Sequence, residues 1–334
     1  MILGCAGLVL GAEETDFMAE TDPLGFILFA RNCAEPDQVR GLVSQLRSAV
    51  GRSDAPVLID QEGGRVARLV PPHWRAAPAA RRFAELARTD PEKAPEAARL
   101  NARMIAAELL ALGISVNCAP VLDIPIAGAD PIIGDRAAGG DPGSAARLGR
   151  AACEGFLAGG IQPVIKHIPG HGRAAVDSHK ALPRVDASLA ELERTDFAPF
   201  RALADMPWAM TAHVVYAAID EDLPATLSPR VIAEIIRGPI GFDGVLLSDD
   251  LSMQALSGTL GERAEAAIEA GCDVVLHCNG EIAEMREIAG RVPCLSNQSG
   301  ARLAAGAARP GVPEPLEAGA QARLDALLAG ERAA

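Results

Sequence analysis

A regular alternation of short apolar runs with helical patterns constrains the fold of this chain more than any other feature. Eight runs are almost continuously apolar, as expected of parallel strands buried on both faces. They are residues 2–10, 25–30, 56–59, 115–122, 163–167, 208–214, 245–248 and 272–278. Alternating strands and helices predict a parallel α/β fold. Eight such units favour a closed (β/α)8 barrel of the TIM type, and 334 residues are enough to build one.

Helix signals lie between the predicted strands. Ser188 and Glu191 form a capping-box pattern before a predicted helix that runs toward Ala204. Ser228-Pro229 opens another helix, because proline fits the first helical position, and Gly238 closes it. Further predicted helices are marked by apolar stripes within residues 39–50 and 100–107 and by the segments 262–270 and 281–289.

Domain organisation follows from this pattern. We assign residues 1–295 to the barrel, and residues 296–334 to an Ala/Gly/Pro-rich C-terminal segment that is packed on the barrel or partly mobile. Two long polar stretches, 123–143 and 168–187, follow predicted strands. Long loops of this kind are usually functional, and these two should lie at the mouth where barrel enzymes place their sites.

Composition excludes several classes of partner. A formal net charge of -13 and an aromatic content of 3% argue against nucleic acid and anionic membranes. No apolar run is long enough to span a membrane, and the first seven residues lack the basic start of a secretion signal. Seven cysteines without a CxxC pair are typical of reduced thiols, so we expect a cytoplasmic protein. We also expect a monomer.

Polar side chains end the predicted strands with some regularity. They are Asp60, Asp123, Lys166, His167, His213, Asp249 and Asp250. In a barrel these side chains converge on one mouth. Such a mixture of carboxylates, cations and imidazoles suits either a sugar with many hydroxyls or a metal ion.

Two groups of candidate residues have alternative interpretations. Asp249 is either a nucleophile or base at the mouth, or a helix N-cap, a role for which Asp250 is the better candidate. Asp177 and His179 lie on one side of an extended backbone, so the carboxylate could orient the imidazole for acid–base work. The alternative is a turn in which Asp177 bonds its own backbone.

The remaining candidates are less specific. His167, His171 and His179 could ligate a metal, but their spacing matches no common signature, so we predict no metal and no cofactor. Arg136 either forks onto substrate oxygens or pairs with a neighbouring carboxylate, Asp135 or Asp141. Lys166 is an ion-pair member or a donor to a substrate hydroxyl, whereas Asp123 and His213 are favoured as packing and supporting groups.

Several motifs together resemble one family. The segments are residues 25–32, 60–69, 117–123, 133–136, 166–172, 177–179, 224–228 and 248–253. The most specific are Lys-His-Ile-Pro-Gly-His-Gly at 166–172 and Asp-Ser-His at 177–179. The chain resembles the single-domain β-N-acetylhexosaminidases of glycoside hydrolase family 3, the kind that acts in bacterial cell-wall recycling. It departs from that pattern at Ala174 and Ala175, where the family often has Asp or Glu.

The resemblance implies a barrel fold and roles for individual residues. Asp249 matches the family's nucleophile, and His179 matches its acid/base on a mobile loop with Asp177 as partner. Positions that bind N-acetylglucosamine (GlcNAc) in the family match Asp60, Arg68, Arg136, Lys166 and His167. The implied activity is retaining removal of terminal GlcNAc from GlcNAc-1,6-anhydro-N-acetylmuramic acid, with or without peptide.

Four other interpretations stay open on sequence alone. A phosphorylase would share the first half-reaction and then use phosphate in place of water. A neutral histidine near the intermediate would repel the incoming phosphate less than a carboxylate would. A β-glucosidase would differ in the sugar that it accepts. A metal-dependent barrel hydrolase would lose activity to a chelator. A catalytically silent sugar-binding barrel would have no need for Asp249, His179 and Asp177 together.

Overall fold

The computed structural model describes residues 1–329 and contains a closed barrel of eight parallel strands. The strands are Ile2–Leu3, Gly25–Leu28, Val57–Ile59, Val116–Asn117, Gln162–Ile168, Trp208–Thr211, Val245–Asp250 and Val274–His277. Each strand pairs in parallel with the next barrel strand along the chain, and the eighth closes onto the first, where Ile2 is the partner of Leu276. The predicted (β/α)8 fold is confirmed.

Helices surround the barrel. The α-helices are Ala12–Thr21, Pro36–Ala49, Ala80–Thr89, Lys93–Ala111, Pro142–Ala158, Leu189–Arg194, Ala198–Ala202, Leu260–Ala270, Ile282–Ala289, Asn297–Ala307 and Ala320–Ala329. Val231–Ile236 is a π-helix, and Ala30–Asn32, Gly134–Arg136 and Ala225–Leu227 are 3-10 turns. Arg184–Val185 and Val215–Tyr216 form a separate two-stranded parallel sheet beside the mouth. Among residues 1–329, no helix has the length and apolar character needed to cross a bilayer.

Alternate residues of the strands face opposite sides. Ile27 belongs to the cluster that fills the barrel, together with Leu58 and Val164. Its neighbours Phe26 and Leu28 instead pack in the cluster formed with the surrounding helices. Burial on both faces explains why the strands appear in the sequence as continuous apolar runs.

Several sequence predictions were wrong in their bounds, among them the strand predicted at 115–122, which is only Val116–Asn117. The first strand ends at Leu3 rather than at residue 10, because the Cys5 and Gly7 carbonyls accept from the Asn32 side chain, at 3.1 and 2.8 Å, instead of from a neighbouring strand. The helix predicted from Ser188 toward Ala204 breaks in two at Thr195. The segment that Ser228 opens is a π-helix that ends at residue 236.

Helix Asn297–Ala307 of the C-terminal segment covers the amino-terminal end of the barrel, whereas helix Ala320–Ala329 packs against the outer helices Ala80–Thr89 and Lys93–Ala111. Leu303 of helix Asn297–Ala307 packs against the residues that fill the barrel. In the same helix, the Gly306 backbone approaches Gln162 and Trp208 at the start of two strands. The boundary at residue 295 stays a prediction, and residues 330–334 of that segment lie outside the described residues.

Candidate active site

A cavity of about 260 Å³ opens at the carboxyl-terminal end of the barrel. Seven of the eight predicted site residues line it: Asp60, Arg68, Arg136, Lys166, His167, His179 and Asp249. The eighth, Asp177, bonds to His179. The structure therefore brings the predicted residues together at one mouth.

The floor of the cavity is an ion-pair network centred on Lys166. Its Nζ lies 2.7 Å from Asp60 Oδ1 and 2.7 Å from Glu62 Oε1. Burial disfavours the ammonium, but the two carboxylates outweigh it and raise the pKa of Lys166. Burial likewise opposes ionisation of Asp60, yet Lys166 and Arg68 hold its pKa well below the usual value. The network therefore keeps fixed charges at the base of the site.

Arg136 forms a two-pronged ion pair with Glu62. Its Nε donates to Glu62 Oε2 and its Nη2 donates to Glu62 Oε1, each at 2.9 Å. Neither Asp135 nor Asp141 is its partner, so the alternative of a local salt bridge to one of them does not hold: Asp135 binds Arg65 and Asp141 caps a helix. Glu62 was missing from the predicted site.

A signal for Glu62 was present in the sequence. It stands two residues after Asp60, a spacing that places both side chains on one side of an extended segment. Burial opposes ionisation of Glu62, but Lys166 and Arg136 hold its pKa below the ordinary value. Glu62 therefore joins the two cations to one another.

The buried amide of Gln61 folds the loop that carries Arg68. Gln61 Oε1 accepts the backbone N–H groups of Arg68 and Leu69 at 2.8 and 3.0 Å, and its Nε2 donates to the Leu69 carbonyl at 2.9 Å. The guanidinium of Arg68 then lies 3.2 Å from Asp60 and 5.0 Å above the Phe29 ring. This loop places a cation beside the cavity floor.

His167 is held by the fully buried Asp123. Nδ1 of His167 lies 2.6 Å from Asp123 Oδ2, and Asp123 Oδ1 accepts the backbone N–H of His171 at 2.6 Å. Burial opposes ionisation of Asp123, but the contacts with His167 and His171 hold its pKa below the usual value. With Nδ1 engaged, the other nitrogen of His167 is the one left to face a ligand. Asp123 thus has the supporting place predicted for it.

Asp249 lies at the end of the seventh strand and lines the cavity. Burial opposes its ionisation, but His167 and the N–H of Asp250, which donates to Asp249 Oδ1 at 2.8 Å, hold its pKa below the usual value. A carboxylate kept ionised in a half-buried mouth suits attack on an electrophilic carbon.

Asp250 has a structural role, though not the one predicted. Its carboxylate accepts the N–H and hydroxyl of Ser252 at 3.1 and 2.5 Å and the N–H of Cys278 at 3.2 Å. It caps a turn rather than a helix, because the next helix begins at Leu260 with Thr259 as N-cap.

His179 projects from the loop after the fifth strand, and its side chain is 60% exposed. Asp177 Oδ1 lies 2.8 Å from Nδ1 of His179 and also accepts the backbone N–H of His179 at 2.9 Å. Both sequence alternatives, the oriented imidazole and the local turn, are therefore present at once. Nε2 of His179 takes no part in these two contacts, and His179 lines the cavity.

The loop that carries His179 is anchored through Ser178. Its hydroxyl lies 3.0 Å from Nε2 of His171, and its carbonyl accepts the N–H of Ala255 at 3.2 Å. Burial, and then the nearby His167, lower the pKa of His171 to about 4. A neutral His171 thus holds the middle of the Asp-Ser-His motif.

The three histidines considered as metal ligands are engaged elsewhere: His167 with Asp123, His171 with Ser178 and His179 with Asp177. Across residues 1–329, no group of three or more His, Cys, Asp or Glu side chains is placed to hold a metal ion.

Comparison with known proteins agrees with this geometry. Residues 10–308 match the glycosyl hydrolase family 3 N-terminal domain. The chain belongs to glycoside hydrolase family 3. Among relatives of this family 3 chain, a β-hexosaminidase of Alkalilimnicola ehrlichii is 42% identical over 84% of the chain and 80% of its own length. A β-hexosaminidase of Pseudomonas aeruginosa is 41% identical over 84% of the chain and 82% of its own length.

A solved structure supports the same assignment. NagZ from Neisseria gonorrhoeae, in complex with N-trifluoroacetyl-D-glucosamine, is 34% identical and has a TM-score of 0.85. The alignment covers 98% of this chain and 96% of that protein. This family 3 chain is therefore a glycosidase of the β-N-acetylhexosaminidase type that acts on sugar substrates.

Proposed function

We propose that this glycosidase is a retaining exo-β-N-acetylglucosaminidase that removes terminal GlcNAc from peptidoglycan fragments. Its substrate is GlcNAc-1,6-anhydro-N-acetylmuramic acid, with or without peptide, and its place is the cytoplasm in cell-wall recycling. One observation carries the proposal: an ionised Asp249 and an exposed His179, held by Asp177, line one cavity above fixed charges.

The proposed reaction has two displacements at the anomeric carbon. Asp249 attacks that carbon while Nε2 of His179 protonates the departing glycosidic oxygen, which gives a covalent glycosyl-enzyme. The same imidazole, now neutral, then takes a proton from water, which attacks and releases GlcNAc. Asp177 serves both steps, because its bond to Nδ1 leaves Nε2 as the nitrogen that exchanges protons.

The cavity floor supplies groups suited to sugar hydroxyls. Carboxylates accept hydroxyl protons, and ammonium or guanidinium groups donate to hydroxyl oxygens. We assign this binding to Asp60, Arg68, Arg136, Lys166 and His167. Their mutual ion pairs fix them before substrate arrives, which reduces the ordering cost of binding. The N-acylated glucosamine bound to the Neisseria gonorrhoeae protein supports the choice of sugar.

The decisive assay is hydrolysis of 4-nitrophenyl β-N-acetylglucosaminide in phosphate-free buffer with a chelator. We expect wild-type activity and a loss of about 10³-fold or more in Asp249→Ala, since the nucleophile is absent. The matched control is Asp37→Ala, which removes a carboxylate that is 87% exposed on an outer helix. Equal activity in wild type and Asp249→Ala would overturn the assignment, and loss of wild-type activity to the chelator would favour a metal-dependent hydrolase.

The natural substrate needs a separate measurement. GlcNAc-1,6-anhydro-N-acetylmuramic acid, its peptide-bearing form and a chitin disaccharide are compared at equal concentration, with products identified by mass. We expect the two anhydro-N-acetylmuramic acid compounds, with and without peptide, to be cleaved with a higher kcat/KM than the chitin disaccharide. Preference for the chitin disaccharide would remove the recycling role and keep the glycosidase activity. A parallel gluco substrate tests β-glucosidase activity.

A phosphorylase is the second candidate, favoured by one observation: the acid/base group is a histidine. A neutral imidazole beside the glycosyl-enzyme repels incoming phosphate less than a carboxylate would. Repeating the assay with phosphate distinguishes the two. Free GlcNAc as the product supports hydrolysis, whereas a sugar 1-phosphate supports phosphorolysis.

A further inference from the structure

Three fully buried side chains join the backbone of Asp249 to the backbone of Asp250. Thr211 Oγ1 accepts the Asp249 N–H at 3.3 Å, and Thr211 and Thr226 share a hydroxyl–hydroxyl contact of 2.7 Å. Nδ1 of His213 lies 2.7 Å from Thr226 Oγ1, and its Nε2 lies 3.0 Å from the Asp250 carbonyl. None of the three side chains lines the cavity described above.

The direction of each hydrogen bond can be assigned from its two ends. The Asp250 carbonyl can only accept, so Nε2 of His213 carries a proton. Burial lowers the pKa of His213, and a neutral ring with a proton on Nε2 must accept at Nδ1. The Thr226 hydroxyl therefore donates to His213, because its other acceptor, the Ala212 carbonyl, is farther away at 3.2 Å. The Thr211 hydroxyl then donates to Thr226.

The position of Thr226 is itself fixed by a folded loop. Thr226 lies in the 3-10 turn Ala225–Leu227, and the N–H of Ala225 bonds to the Val214 carbonyl at 2.8 Å. The Ser228 hydroxyl donates to Oδ2 of the buried Asp220 at 2.6 Å. This segment belongs to the motif at residues 224–228, for which neither the sugar contacts nor the acid–base step supplies a role.

We infer that Thr211, Thr226 and His213 are positioning residues that hold the peptide group before Asp249 and the peptide group after Asp250. The inference rests on the proposed role of Asp249 as nucleophile. The chain fixes the N–H of Asp249 and the carbonyl of Asp250. With the backbone held at both points, the Asp249 carboxylate has little freedom to tilt away from the anomeric carbon. Small errors in such an alignment reduce rate far more than they reduce binding.

Buried polar side chains are costly unless each is satisfied, and here each is. Fully apolar replacements would pack this region without the cost of matching donors to acceptors. A connected chain of hydrogen bonds instead fixes one arrangement of these side chains, because each member has only one geometry that satisfies its neighbours.

The test uses Thr226→Val, which keeps the shape of threonine and removes its hydroxyl, and Thr226→Ser, which restores the hydroxyl. The substrate is a 2,4-dinitrophenyl β-N-acetylglucosaminide, whose leaving group needs no proton, so the burst rate reports the attack of Asp249. We expect Thr226→Val to lower the burst rate and kcat about 10-fold or more with little change in substrate affinity. Thr226→Ser should restore most of the rate.

Ser228→Ala is the matched control, because it removes a buried hydroxyl from the same loop that takes no part in the chain. It should lower Tm and leave the burst rate near that of the wild type. If Ser228→Ala slows the burst as much as Thr226→Val, the effect is general loosening of the loop and the inference is wrong.

Connectivity is tested by combining Thr211→Val with Thr226→Val. Two breaks in one chain should cost little more than one, so the rate effects should be far from additive. Additive effects would contradict a connected chain. Nitrogen NMR gives an independent check: neutral His213 with its proton on Nε2 is expected, and a proton on Nδ1 would reverse the chain and overturn the inference.

Failure of this inference is distinguishable from failure of the proposed function. If Asp249→Ala abolishes activity and Thr226→Val does not slow the burst, Asp249 keeps its role and the positioning chain is rejected. If Asp249→Ala stays active, the proposed nucleophile is rejected, and the inference that rests on it is rejected too.

Discussion

Asp177 binds His179 twice, through the backbone N–H at 2.9 Å and through the imidazole Nδ1 at 2.8 Å, both on the same carboxylate oxygen. The ring and the backbone that carries it are therefore fixed by one group. Burial opposes ionisation of Asp177, but the two contacts from His179 hold its pKa below the usual value. The dyad is thus pre-oriented even though the imidazole is mostly exposed.

The acid role of His179 predicts a dependence on the leaving group. His179→Ala should slow glycosides with poor leaving groups by about 10²- to 10⁴-fold, because these need a proton in the first step. Activated aryl glycosides should lose far less in that step. The measurement is kcat/KM across a series of aryl leaving groups, in which the variant should show a steeper dependence. Equal losses on all substrates would remove the acid role.

Asp177→Asn separates orientation of His179 from its chemistry. The amide keeps the size of the side chain and loses the charge that faces Nδ1, so we expect a smaller loss than in His179→Ala on the same poor leaving groups. Lys180→Ala is the control, since Lys180 also contacts Asp177, at 3.6 Å, from a side chain that is 81% exposed. The control should retain nearly full rate.

Glu62 should be needed for both binding and stability. Its carboxylate forms ion pairs with Lys166 at 2.7 Å and Arg136 at 2.9 Å. Glu62→Gln therefore removes the negative charge that these two cations share. We expect a loss of roughly 2–4 kcal/mol in the free energy of unfolding, since breaking a buried pair leaves an uncompensated charge. We also expect a raised KM for the aryl glycoside.

The matched change is Glu20→Gln, which removes the same charge from a side chain that is 73% exposed. Urea unfolding should show a shift within about 0.5 kcal/mol for this control. A Glu62→Gln protein as stable as the control, with an unchanged KM, would mean that the network does not depend on Glu62.

The sequence predicted the barrel well because each strand is buried on both faces, which leaves an apolar run that local pattern detects. It also predicted that Asp60, Lys166 and Asp249 would meet, because carboxyl ends of barrel strands share one mouth. It could not predict the partner of Arg136, since Glu62 is 74 residues away along the chain. Pairing across such distances depends on how loops fold over the mouth.

Other misses have similar physical causes. Ser188 caps the start of its helix as predicted, with its hydroxyl oxygen accepting the Glu191 N–H at 3.3 Å, but the Glu191 carboxylate pairs with Arg173 at 2.8 Å instead of completing the capping box. The end of that helix depends on tertiary contacts. Just after the end of the helix, the Asp196 carboxylate accepts from Nε of Arg173 at 2.6 Å. Local sequence describes the start of this helix, and contacts with a distant loop decide where it stops.

His171 should make stability depend on pH between the ordinary pKa of histidine and its own lowered pKa. Its pKa is about 4 in the folded protein, against about 6.5 for an ordinary histidine. As pH falls below 6.5, the unfolded chain takes up a proton that folded His171 refuses, so stability is lost between pH 6.5 and pH 4. The contribution is on the order of 3 kcal/mol over that range.

The check is the free energy of unfolding of wild type and His171→Gln at pH 7 and pH 4.5. The variant should lose less stability on acidification, because it lacks the group that resists protonation. His73→Gln changes an exposed histidine and should follow the wild type. A His171→Gln curve parallel to that of the wild type would show that His171 takes up its proton equally easily in both states.

Asp273 should stabilise the closed bottom of the barrel without affecting catalysis. Its two oxygens accept from Arg237 at 2.8 Å, Ser299 at 2.7 Å and Arg302 at 3.0 Å, which ties helix Asn297–Ala307 to the start of the eighth strand. Asp273→Asn removes the buried charge that two partly buried guanidinium groups share. We expect a loss of about 2–4 kcal/mol in unfolding free energy and an unchanged kcat, since the mouth lies at the opposite end.

Asp243→Asn is the sharpest control for this prediction, because Asp243 binds the same Arg302, at 2.7 Å, from a side chain that is 83% exposed. Solvent screens an exposed pair, so this change should cost at most about 1 kcal/mol. Urea unfolding of the two variants, with kcat measured on the same samples, compares a buried and an exposed carboxylate on one arginine. If both cost the same, burial of Asp273 adds nothing, and if kcat falls only in Asp273→Asn, the barrel bottom is coupled to the site.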